Sequence, residues 1–372
     1  MRILIVGTGS NIFTTVLIGK LTELNHKVDL LDVSSYSFIN YADKVHKTIF
    51  NVPRFLSRLL PLIFILRIWA GYKLLGELKG KYDVCQILYL KYEYLFLIES
   101  IILTSDKTVA YVYGFSFVRK WIKRLFKRVY DKVDYIMFAN RSLVSEFLAC
   151  FGNKYEEKVK VCPHVLKSFD SISKVKNQET VDQSREKLGI EKNLVAVVCG
   201  GNAIANQQHK KLIKAIHKID YDNEKVLFIF PLTYGDNSYK SKIIKFIKEQ
   251  LLHHKVKILE EFMTEDDVAR LRSITDIYIN IQKMDQLSGA MLESLYAGSV
   301  VITGGWLKYQ VLCDKGVFLY KVDDIGAVAQ LIADCVEDLQ TQKSLCAVNT
   351  RIIGEMYNRK DLINRWIDVY NL

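Results

Sequence analysis

The sequence predicts an α/β protein of two domains, each built on a parallel sheet covered by helices. Short β-branched runs alternate with helical patterns along the 372 residues, which is the order of elements that builds strand–helix–strand units. A polar stretch near the middle of the chain has little periodicity, and two domains suit a chain of this length. We expect a domain at 1–166, a linker at 167–190, a domain at 191–355 and a last helix at 356–372.

Composition narrows the class of protein. Half of the residues are hydrophobic, so both domains can bury a core. The seven cysteines are scattered without a C-x-x-C pair, and the seven histidines form no H-x-x-x-H motif. These spacings favour buried thiols in a reduced, cytoplasmic compartment, and they predict neither a disulfide nor a metal site. The chain opens directly with the strand-like run RILIVG, so no signal peptide is expected.

The most apolar run is Phe55–Leu75, and it is too short to predict a membrane span. Its uncharged part, Leu59–Leu66, has eight residues, whereas a helix needs about 20 apolar residues to cross a bilayer. We therefore expect a buried or interfacial helix here.

The N-terminal domain begins with a strand and a glycine loop at Arg2–Asn11, followed by a helix and a second strand near Val28–Asp32. Gly7 and Gly9 look like the start of a dinucleotide-binding unit, but Ile12 replaces the third glycine of G-x-G-x-x-G. Further strands of the same sheet are predicted at Tyr82–Leu90, Thr108–Tyr113, Tyr135–Ala139 and Lys158–Leu166.

Val118–Tyr130 predicts an amphipathic helix whose polar face is entirely basic. Its apolar residues recur at helical spacing, and the opposite face carries Arg119, Lys120, Lys123, Arg124, Lys127 and Arg128 with no acid. Residues 1–165 hold 24 Lys and Arg against 14 Asp and Glu, whereas the rest of the chain holds 28 against 27. The pattern favours contact with an anionic membrane surface; the alternative is a core-facing helix with a solvated basic face. Nucleic acid is disfavoured as a partner, because the aromatic residues fall on the apolar face.

The stretch Asp276–Thr303 predicts a strand, a loop, a helix and a further strand. Ligands of such sheets bind beyond the carboxyl ends of the strands, where the first amides of a helix favour a phosphate. Those amides would come from Ser288, Gly289 and Ala290. Asp285 and Glu293 lie eight residues apart, so that both can face one cleft and accept hydrogen bonds from sugar or ribose hydroxyls.

This stretch resembles the donor-binding segment of GT-B glycosyltransferases, especially the retaining family 4 group. The shared pattern is an acid, seven residues and a Glu, then Ala-Gly-x-x-Val-Ile, here Asp285, Glu293 and 297–302. The resemblance implies two Rossmann-like domains whose parallel sheets face a cleft. It also implies that the first acid contacts the transferred sugar and the second holds the nucleotide ribose. Two departures stand out, since the first acid is usually Glu and the usual Gly-Phe-Gly is here Gln286-Leu287-Ser288.

Three further stretches resemble bacterial TDP-4-acetamido-fucosyl transferases that act on lipid-linked glycans, namely Gly201–His209, Pro231–Tyr239 and Leu259–Asp267. Together the resemblances imply donor contacts from Gly201, Asn202, His209, Thr233, Tyr234, Gly235, Asn237, Tyr239, Gln286, Ser288, Gly289, Ala290, Met291 and Leu292. The glycine loop of the first domain would border the acceptor through Gly7, Gly9, Ser10 and Asn11. In GT-B chains the last helix often packs back on the first domain, which is expected here as well.

The expected function is transfer of a sugar from a nucleotide-sugar donor to a lipid-linked glycan acceptor. The setting would be bacterial surface polysaccharide (capsule, O-antigen or exopolysaccharide) synthesis at the inner face of the plasma membrane. No cofactor and no metal are expected, because helix amides and a cation, among Lys210, Lys211 and Lys283, would stabilise the leaving diphosphate.

Several alternatives stay open. Retention and inversion are both possible, and an inverting enzyme would need a base, for which the candidates are Glu93, Glu99 and Asp106. A GT-B sugar-nucleotide 2-epimerase would share the fold without needing a membrane. A non-catalytic nucleotide-sugar- or lipid-binding protein would share it without needing the Asp285 and Glu293 pair.

Overall fold

The computed structural model describes residues 1–8, 12–32, 37–41, 43, 45–48, 60–88, 90, 94–112, 120–163, 168–219, 225–285, 287–357 and 359–372. These residues form two compact units. Unit 1 comprises Met1–Leu166 and Tyr357–Leu372, and unit 2 comprises Lys167–Met356.

Unit 1 is built on an eight-stranded sheet with the order β4-β3-β2-β1-β5-β6-β7-β8. The strands β2, β3 and β4 pair antiparallel, and the other neighbours pair parallel. The strands are β1 (Arg2–Gly7), β2 (Lys27–Asp32), β3 (Ser37–Asn40), β4 (Val45–Thr48), β5 (Tyr82–Leu88), β6 (Ser105–Tyr111), β7 (Tyr135–Phe138) and β8 (Val159–Val161). The helices are α1 (Ile12–Glu23), α2 (Leu60–Glu77), α3 (Tyr94–Ile102), α4 (Lys120–Lys132), α5 (Arg141–Phe151) and, at the end of the chain, α15 (Arg359–Asn371).

The strands at the centre of this sheet have continuous apolar sequences because both of their faces are covered. β1 lies between β2 and β5, and Ile3 to Val6 are fully buried. A parallel strand covered on both faces needs apolar side chains on both, so alternation with polar residues is lost. The predicted strands at the start of the chain and at 82–90, 108–113, 135–139 and 158–166 are confirmed, with ends shifted by a few residues.

The last helix packs within unit 1 through one tryptophan. Trp366 is fully buried and stacks on Tyr111 of β6, with ring centroids 5.1 Å apart. Its indole Nε1 donates a hydrogen bond to the carbonyl of Pro163 at 3.1 Å. A second hydrogen bond runs from Nζ of Lys107 to the carbonyl of Tyr370, at 2.8 Å. The end of the chain is therefore an integral layer of unit 1.

The apolar run near residue 60 forms the helix α2 from Leu60 onward, while residues 55–59 lie outside the described part of the chain. One face of α2 is buried through Ala70, Leu74 and Leu75. Among the helices that the structure describes, none is both long and apolar enough to cross a bilayer.

The basic helix α4 has acidic neighbours that the sequence pattern did not indicate. Arg128 and Lys132 each lie 3.1 Å from a carboxylate oxygen of Glu99 on α3, and Lys127 lies 3.9 Å from Asp131. The expectation of an acid-free cationic face is therefore wrong for Lys127 and Arg128. Arg119 and the side chains of Lys120, Lys123 and Arg124 lie outside the described residues.

Unit 2 is built on a six-stranded, fully parallel sheet with the order β11-β10-β9-β12-β13-β14. The strands are β9 (Val195–Cys199), β10 (Val226–Pro231), β11 (Val256–Leu259), β12 (Ile277–Asn280), β13 (Val300–Gly304) and β14 (Tyr320–Val322). The helices are α6 (Ser168–Gln178), α7 (Val181–Lys187), α8 (His209–Ile216), α9 (Asn237–Gln250), α10 (Glu265–Ile274), α11 (Gly289–Ala297), α12 (Gln310–Cys313), α13 (Ala327–Glu337) and α14 (Leu339–Met356).

The predicted linker at 167–190 is wrong, because this stretch forms α6 and α7 and belongs to unit 2. Phe169, Ile172 and Val175 of α6 are buried, and the ring of Phe169 stacks on Tyr296 at 4.3 Å. Between the two helices Glu179 accepts hydrogen bonds from Arg270 of α10 at 2.9 to 3.2 Å. The many charged residues conceal a narrow apolar stripe with helical spacing, which is enough to bury one face of a helix.

Candidate functional site

The carboxyl ends of β9 and β12 lie side by side in the middle of the unit 2 sheet. β9 pairs with β10 on one side and with β12 on the other, so the chain changes direction across the sheet at this point. A topological switch of this kind leaves a crevice beyond the strand ends, where ligands of open parallel sheets bind. The loops that follow β9 and β12, together with the first residues of the helices α8 and α11 that come next, contain most of the donor residues predicted from the sequence.

The glycine pair after β9 meets the start of α11 at close range. A Cβ on Gly201 would lie 3.4 Å from both the Cβ of Ala290 and the hydroxyl of Tyr278. A Cβ on Gly200, which has a φ of +79°, would lie 2.9 Å from Oε1 of Gln207. The positive φ of Gly200 therefore favours glycine, whereas a Cβ on Gly201 would make only ordinary van der Waals contact. The structure thus brings Gly201 and Ala290, two of the predicted donor contacts, close together.

Asn206 holds the loop after β12 in place. Its Nδ2 donates hydrogen bonds to Oε1 of Gln282 at 2.7 Å and to the carbonyl of Met284 at 2.9 Å. Its carbonyl accepts from the amide of Lys283 at 2.9 Å. The loop carrying Asp285 is thus fixed to the loop after β9 before any ligand arrives.

The carboxylate of Asp285 is turned towards buried polar groups. Its Oδ2 accepts hydrogen bonds from the hydroxyl of Tyr309, from the amide of Ser288 at 2.9 Å and from Nδ2 of Asn280 at 3.3 Å. Asn280 also donates to the Tyr309 oxygen at 2.7 Å, and both residues are fully buried. Leu287, in the same turn, has a φ of +81°, which costs energy for a branched side chain.

One part of the phosphate-site prediction is therefore wrong. The amide of Ser288 is not available to a ligand, because the Asp285 carboxylate accepts it across a three-residue turn. Gly289 and Ala290 open α11, and first-turn amides have no carbonyl partner within their own helix. Of the three amides predicted to face a phosphate, those of Gly289 and Ala290 therefore remain candidates.

Glu293 lies in the second turn of α11 and is paired with a buried arginine. Its Oε2 accepts a hydrogen bond from Nε of Arg272 at 3.0 Å, and Arg272 is only 6% exposed. The guanidinium also lies over the ring of Tyr278, 5.6 Å from its centroid. An arginine in such a position holds the Glu293 carboxylate in one orientation.

His209 is a deeply buried ionisable side chain of the site, at 1% exposure. Its Nδ1 lies 3.3 Å from the Tyr239 hydroxyl, and its Nε2 lies 3.4 Å from a Cβ built on Gly200. Burial lowers the pKa of the imidazole from 6.5 to about 4, so the ring is neutral at physiological pH. A neutral imidazole offers one donor and one acceptor nitrogen.

This burial predicts a pH-dependent stability. The unfolded state binds the proton near pH 6.5 and the folded state only near pH 4, so the free energy of unfolding should fall as pH drops through that window. Between pH 7.5 and pH 5 we expect the native chain to lose about 2 kcal/mol through this group. Urea unfolding of the native chain and of His209→Gln, each at pH 7.5 and pH 5, measures this loss. An equal pH dependence of the free energy of unfolding in the two proteins would contradict the assignment to His209.

The loop after β10 closes the site on the far side of β9. Gly235 forms a bridge with Ala203, and the amide of Asp236 donates to the Ala203 carbonyl at 3.0 Å. Nδ2 of Asn202 lies 3.4 Å from the Tyr234 hydroxyl. The stretches 201–209 and 231–239, which both show the resemblance to lipid-linked glycan transferases, are therefore joined.

Gly235 is sterically essential to that junction. It has a φ of +133°, and a Cβ there would lie 2.5 Å from the backbone oxygen of Ala203. We expect Gly235→Ala to lower the free energy of unfolding by about 2 kcal/mol or more. The matched control is Gly19→Ala in α1, where nothing lies within 4 Å and a gain of about 0.5–1 kcal/mol is expected. Urea unfolding measures both changes, and equal effects would contradict this role.

The remaining predicted residues are placed as follows. Met291 and Leu292 are buried in the core, so that only their backbone can face a ligand. Thr233 is half-buried in the loop after β10, and Asn237 begins α9. Gly7 ends β1, whereas Gly9, Ser10, Asn11 and Gln286 lie outside the described residues.

The structure places several of the lysines proposed to stabilise the leaving diphosphate and of the acids proposed as a base. Nζ of Lys210 lies over the ring of Phe246, 5.6 Å from its centroid, and so is directed at α9. Lys283 lies in the loop that Asn206 fixes. Glu99 is paired with Arg128 and Lys132, which fits a surface role better than that of a base. Glu93 lies outside the described residues, where no structural statement applies.

Sequence reasoning missed Arg272, Asn280, Tyr309 and Trp306. The indole of Trp306 lies against Gly304, where a Cβ would come within 2.4 Å of the ring, and its Nε1 donates to the Gln282 carbonyl at 2.7 Å. The doublet Gly304-Gly305 at a strand end was the available signal. Within the described ranges, no group of three His, Cys, Asp or Glu side chains is placed to hold a metal ion.

Comparison with known proteins gives a family match within unit 2 and the fold of the chain. Residues 180–347 match the family described as Glycosyl transferases group 1. A search of curated proteins by sequence gave no match.

Three solved structures are similar over nearly their whole length. Anabaena HepE (Alr3699), solved with UDP and glucose, is 16% identical with a TM-score of 0.71, covering 100% of this chain and 99% of that one. Sucrose-phosphate synthase from Thermosynechococcus elongatus is 13% identical with a TM-score of 0.76, covering 100% and 98%. A glycosyltransferase from Rickettsia africae is 14% identical with a TM-score of 0.70, covering 99% and 97%.

The similarity to these structures confirms the predicted GT-B fold. The match of residues 180–347 to Glycosyl transferases group 1 agrees with the resemblance of the Asp285 and Glu293 motif. The α/β class with two parallel-sheet domains is confirmed as well. The likeness to TDP-4-acetamido-fucosyl transferases stays a prediction.

Proposed function

We propose that this chain transfers a sugar from a nucleotide-sugar donor, bound by unit 2, to a lipid-linked glycan acceptor bound by unit 1. The setting is bacterial surface polysaccharide synthesis on the inner face of the plasma membrane. The match of residues 180–347 to Glycosyl transferases group 1 supports the donor chemistry. The similarity of the fold to HepE, solved with UDP and glucose, is compatible with it.

The observation that carries the donor proposal is a set of buried polar atoms lacking hydrogen-bond partners. Among the described residues, the buried polar atoms without a partner in the structure include Oε1 of Gln207, Nε2 of His209 and Nη1 of Arg272. Unsatisfied buried groups of this kind are rare and call for a ligand or a water. All three come from the crevice residues or from the arginine that holds Glu293. A nucleotide sugar has hydroxyl groups that can donate to Oε1 of Gln207, and phosphate and hydroxyl oxygens that can accept from Nη1 of Arg272.

Each part of the donor then has a counterpart. The Glu293 carboxylate, oriented by Arg272, accepts hydrogen bonds from the ribose hydroxyls. The amides of Gly289 and Ala290 receive the diphosphate, where the helix dipole favours negative charge. Asp285 and His209 face the sugar, with Asp285 held by Tyr309 and Asn280.

The reaction breaks the bond between the anomeric carbon and the diphosphate oxygen, and the electron pair leaves with the diphosphate. The acceptor hydroxyl forms the new bond to the anomeric carbon, and its proton passes to the departing diphosphate or to solvent. Negative charge develops on the leaving oxygen, so the two first-turn amides and Lys283 act where the transition state needs them. Preorganisation of this kind accelerates transfer without a covalent intermediate.

Calorimetry of the purified chain with UDP, GDP, TDP and CMP tests the donor site. We expect one nucleotide to bind and Glu293→Gln to weaken it. Glu249→Gln, which changes an exposed carboxylate on α9 of the same unit, is the matched control and should leave binding unchanged. Failure of all four nucleotides to bind would overturn the proposal.

A further inference from the structure

One face of α2 exposes large apolar side chains. Ile65 and Trp69 are 62% and 63% exposed, and Tyr72 is also exposed. Their spacing of four and three residues puts them on one stripe of the helix. The opposite face is buried through Ala70 and Leu74, so the stripe is the outward face of a helix that is otherwise packed.

The neighbouring helix extends this stripe. Phe96 of α3 is 51% exposed, and the Tyr72 hydroxyl donates a hydrogen bond to its carbonyl at 2.6 Å. The ring of Phe64 meets that of Phe96 edge to face, with centroids 5.7 Å apart. We call Ile65, Trp69, Tyr72 and Phe96 the apolar patch. Single exposed apolar residues are common, whereas a contiguous aromatic patch marks a contact surface.

Cations border the apolar patch. Glu99 lies three residues after Phe96, one turn along α3, and pairs with Arg128 and Lys132 of α4 at 3.1 Å. These pairs are exposed, and exposed pairs contribute little stability, so the cations can exchange Glu99 for lipid phosphates. Residues 1–165 also carry 24 Lys and Arg against 14 Asp and Glu.

We propose that the apolar patch docks on an anionic lipid bilayer, with Ile65 and Trp69 inserted at the level of the upper acyl chains. Tyr72 then lies among the headgroups, where tyrosine and tryptophan are enriched in membrane-bound proteins. Arg128 and Lys132 meet the lipid phosphates beside it. The contact is thus made by α2 and α3 with α4 at its border, rather than by the basic face of α4 alone. This surface is separate from the donor crevice, and its test is independent of donor binding.

Vesicle flotation of the full-length chain tests the docking. Vesicles of phosphatidylcholine alone are compared with vesicles of phosphatidylcholine and phosphatidylglycerol. The native chain should float with the anionic vesicles, and the double variant Ile65→Ser/Trp69→Ser should partition at least about tenfold less. The matched control, Leu252→Ser/Phe262→Ser, changes two side chains that are 75% and 80% exposed in unit 2 and should float like the native chain.

Tryptophan fluorescence gives a second readout. The emission of Trp69 should shift to shorter wavelength on binding anionic vesicles, and the difference between the native chain and Trp69→Phe isolates that shift. Equal flotation of the native chain and the Ile65→Ser/Trp69→Ser variant would overturn the proposal. So would a native dimer that this variant makes monomeric without any vesicle binding. The Ile65→Ser/Trp69→Ser variant should bind nucleotides as the native chain does. Failure of the membrane proposal would therefore not count against the proposed donor site.

Discussion

Glu293→Gln should weaken the binding of the nucleotide that the native chain prefers by about 10- to 100-fold. The ribose hydroxyls lose an ionised acceptor, and hydrogen bonds to charged groups contribute about 1.5–3 kcal/mol. Glutamine keeps an amide oxygen for Nε of Arg272, now 3.0 Å from the carboxylate. The fold should therefore survive, and calorimetry can measure the lost affinity directly.

Glu293→Ala would lower the stability of the protein as well as its affinity for a nucleotide, so the two effects could not be told apart. Glu293→Ala leaves the Arg272 guanidinium buried and unpaired, which should cost about 3–5 kcal/mol of stability. The double variant Arg272→Met/Glu293→Leu removes both charges, and such replacements are often neutral for stability. We expect this variant to be folded and unable to bind nucleotide. Native-like affinity in the double variant would show that Glu293 has no part in the donor site.

Asp285→Asn should reduce the affinity for a nucleotide sugar by about tenfold or more while leaving that for the bare nucleoside diphosphate nearly unchanged. The charge is removed from the group proposed to contact the sugar, whereas Asn can still accept from the Ser288 amide that it caps. Calorimetry with both ligands gives the ratio. Equal losses for both ligands would place Asp285 at the nucleotide instead.

The substitution Tyr309→Phe tests whether the Tyr309 hydroxyl orients the Asp285 carboxylate towards the sugar. It removes the hydroxyl that binds Asp285 and accepts from the buried Asn280, so about 1–3 kcal/mol of stability should be lost. If Tyr309 orients Asp285, the ratio of the affinity for the nucleotide sugar to that for the bare nucleoside diphosphate should fall as well, by less than in Asp285→Asn. If that ratio is unchanged and only the free energy of unfolding is lower, the hydroxyl supports the fold alone.

The order of elements and the central acid pair were predictable because both depend on local pattern. Strands such as Arg2–Gly7 are continuous apolar runs, and the Asp285 and Glu293 motif spans a single loop and helix. Ligand-binding loops also follow strand ends by a general rule of parallel sheets.

The partners that orient those acids were not predictable, because they come from distant positions. Arg272 precedes Glu293 by 21 residues on another helix, and Tyr309 follows Asp285 by 24 residues. Only the folded sheet brings them together. Polar composition likewise concealed α6, and the pairing of Arg128 with Glu99 depends on two helices lying side by side.

The most direct test of the central claim is release of a nucleoside diphosphate from a nucleotide sugar, with and without a lipid-linked glycan extract. We expect release to need the extract, the sugar to appear on the lipid fraction, and Asp285→Asn to lower both by about tenfold or more at limiting donor. Release without any acceptor, or none under either condition, would contradict a transferase. Conversion of the nucleotide sugar into its epimer without an acceptor would indicate an epimerase.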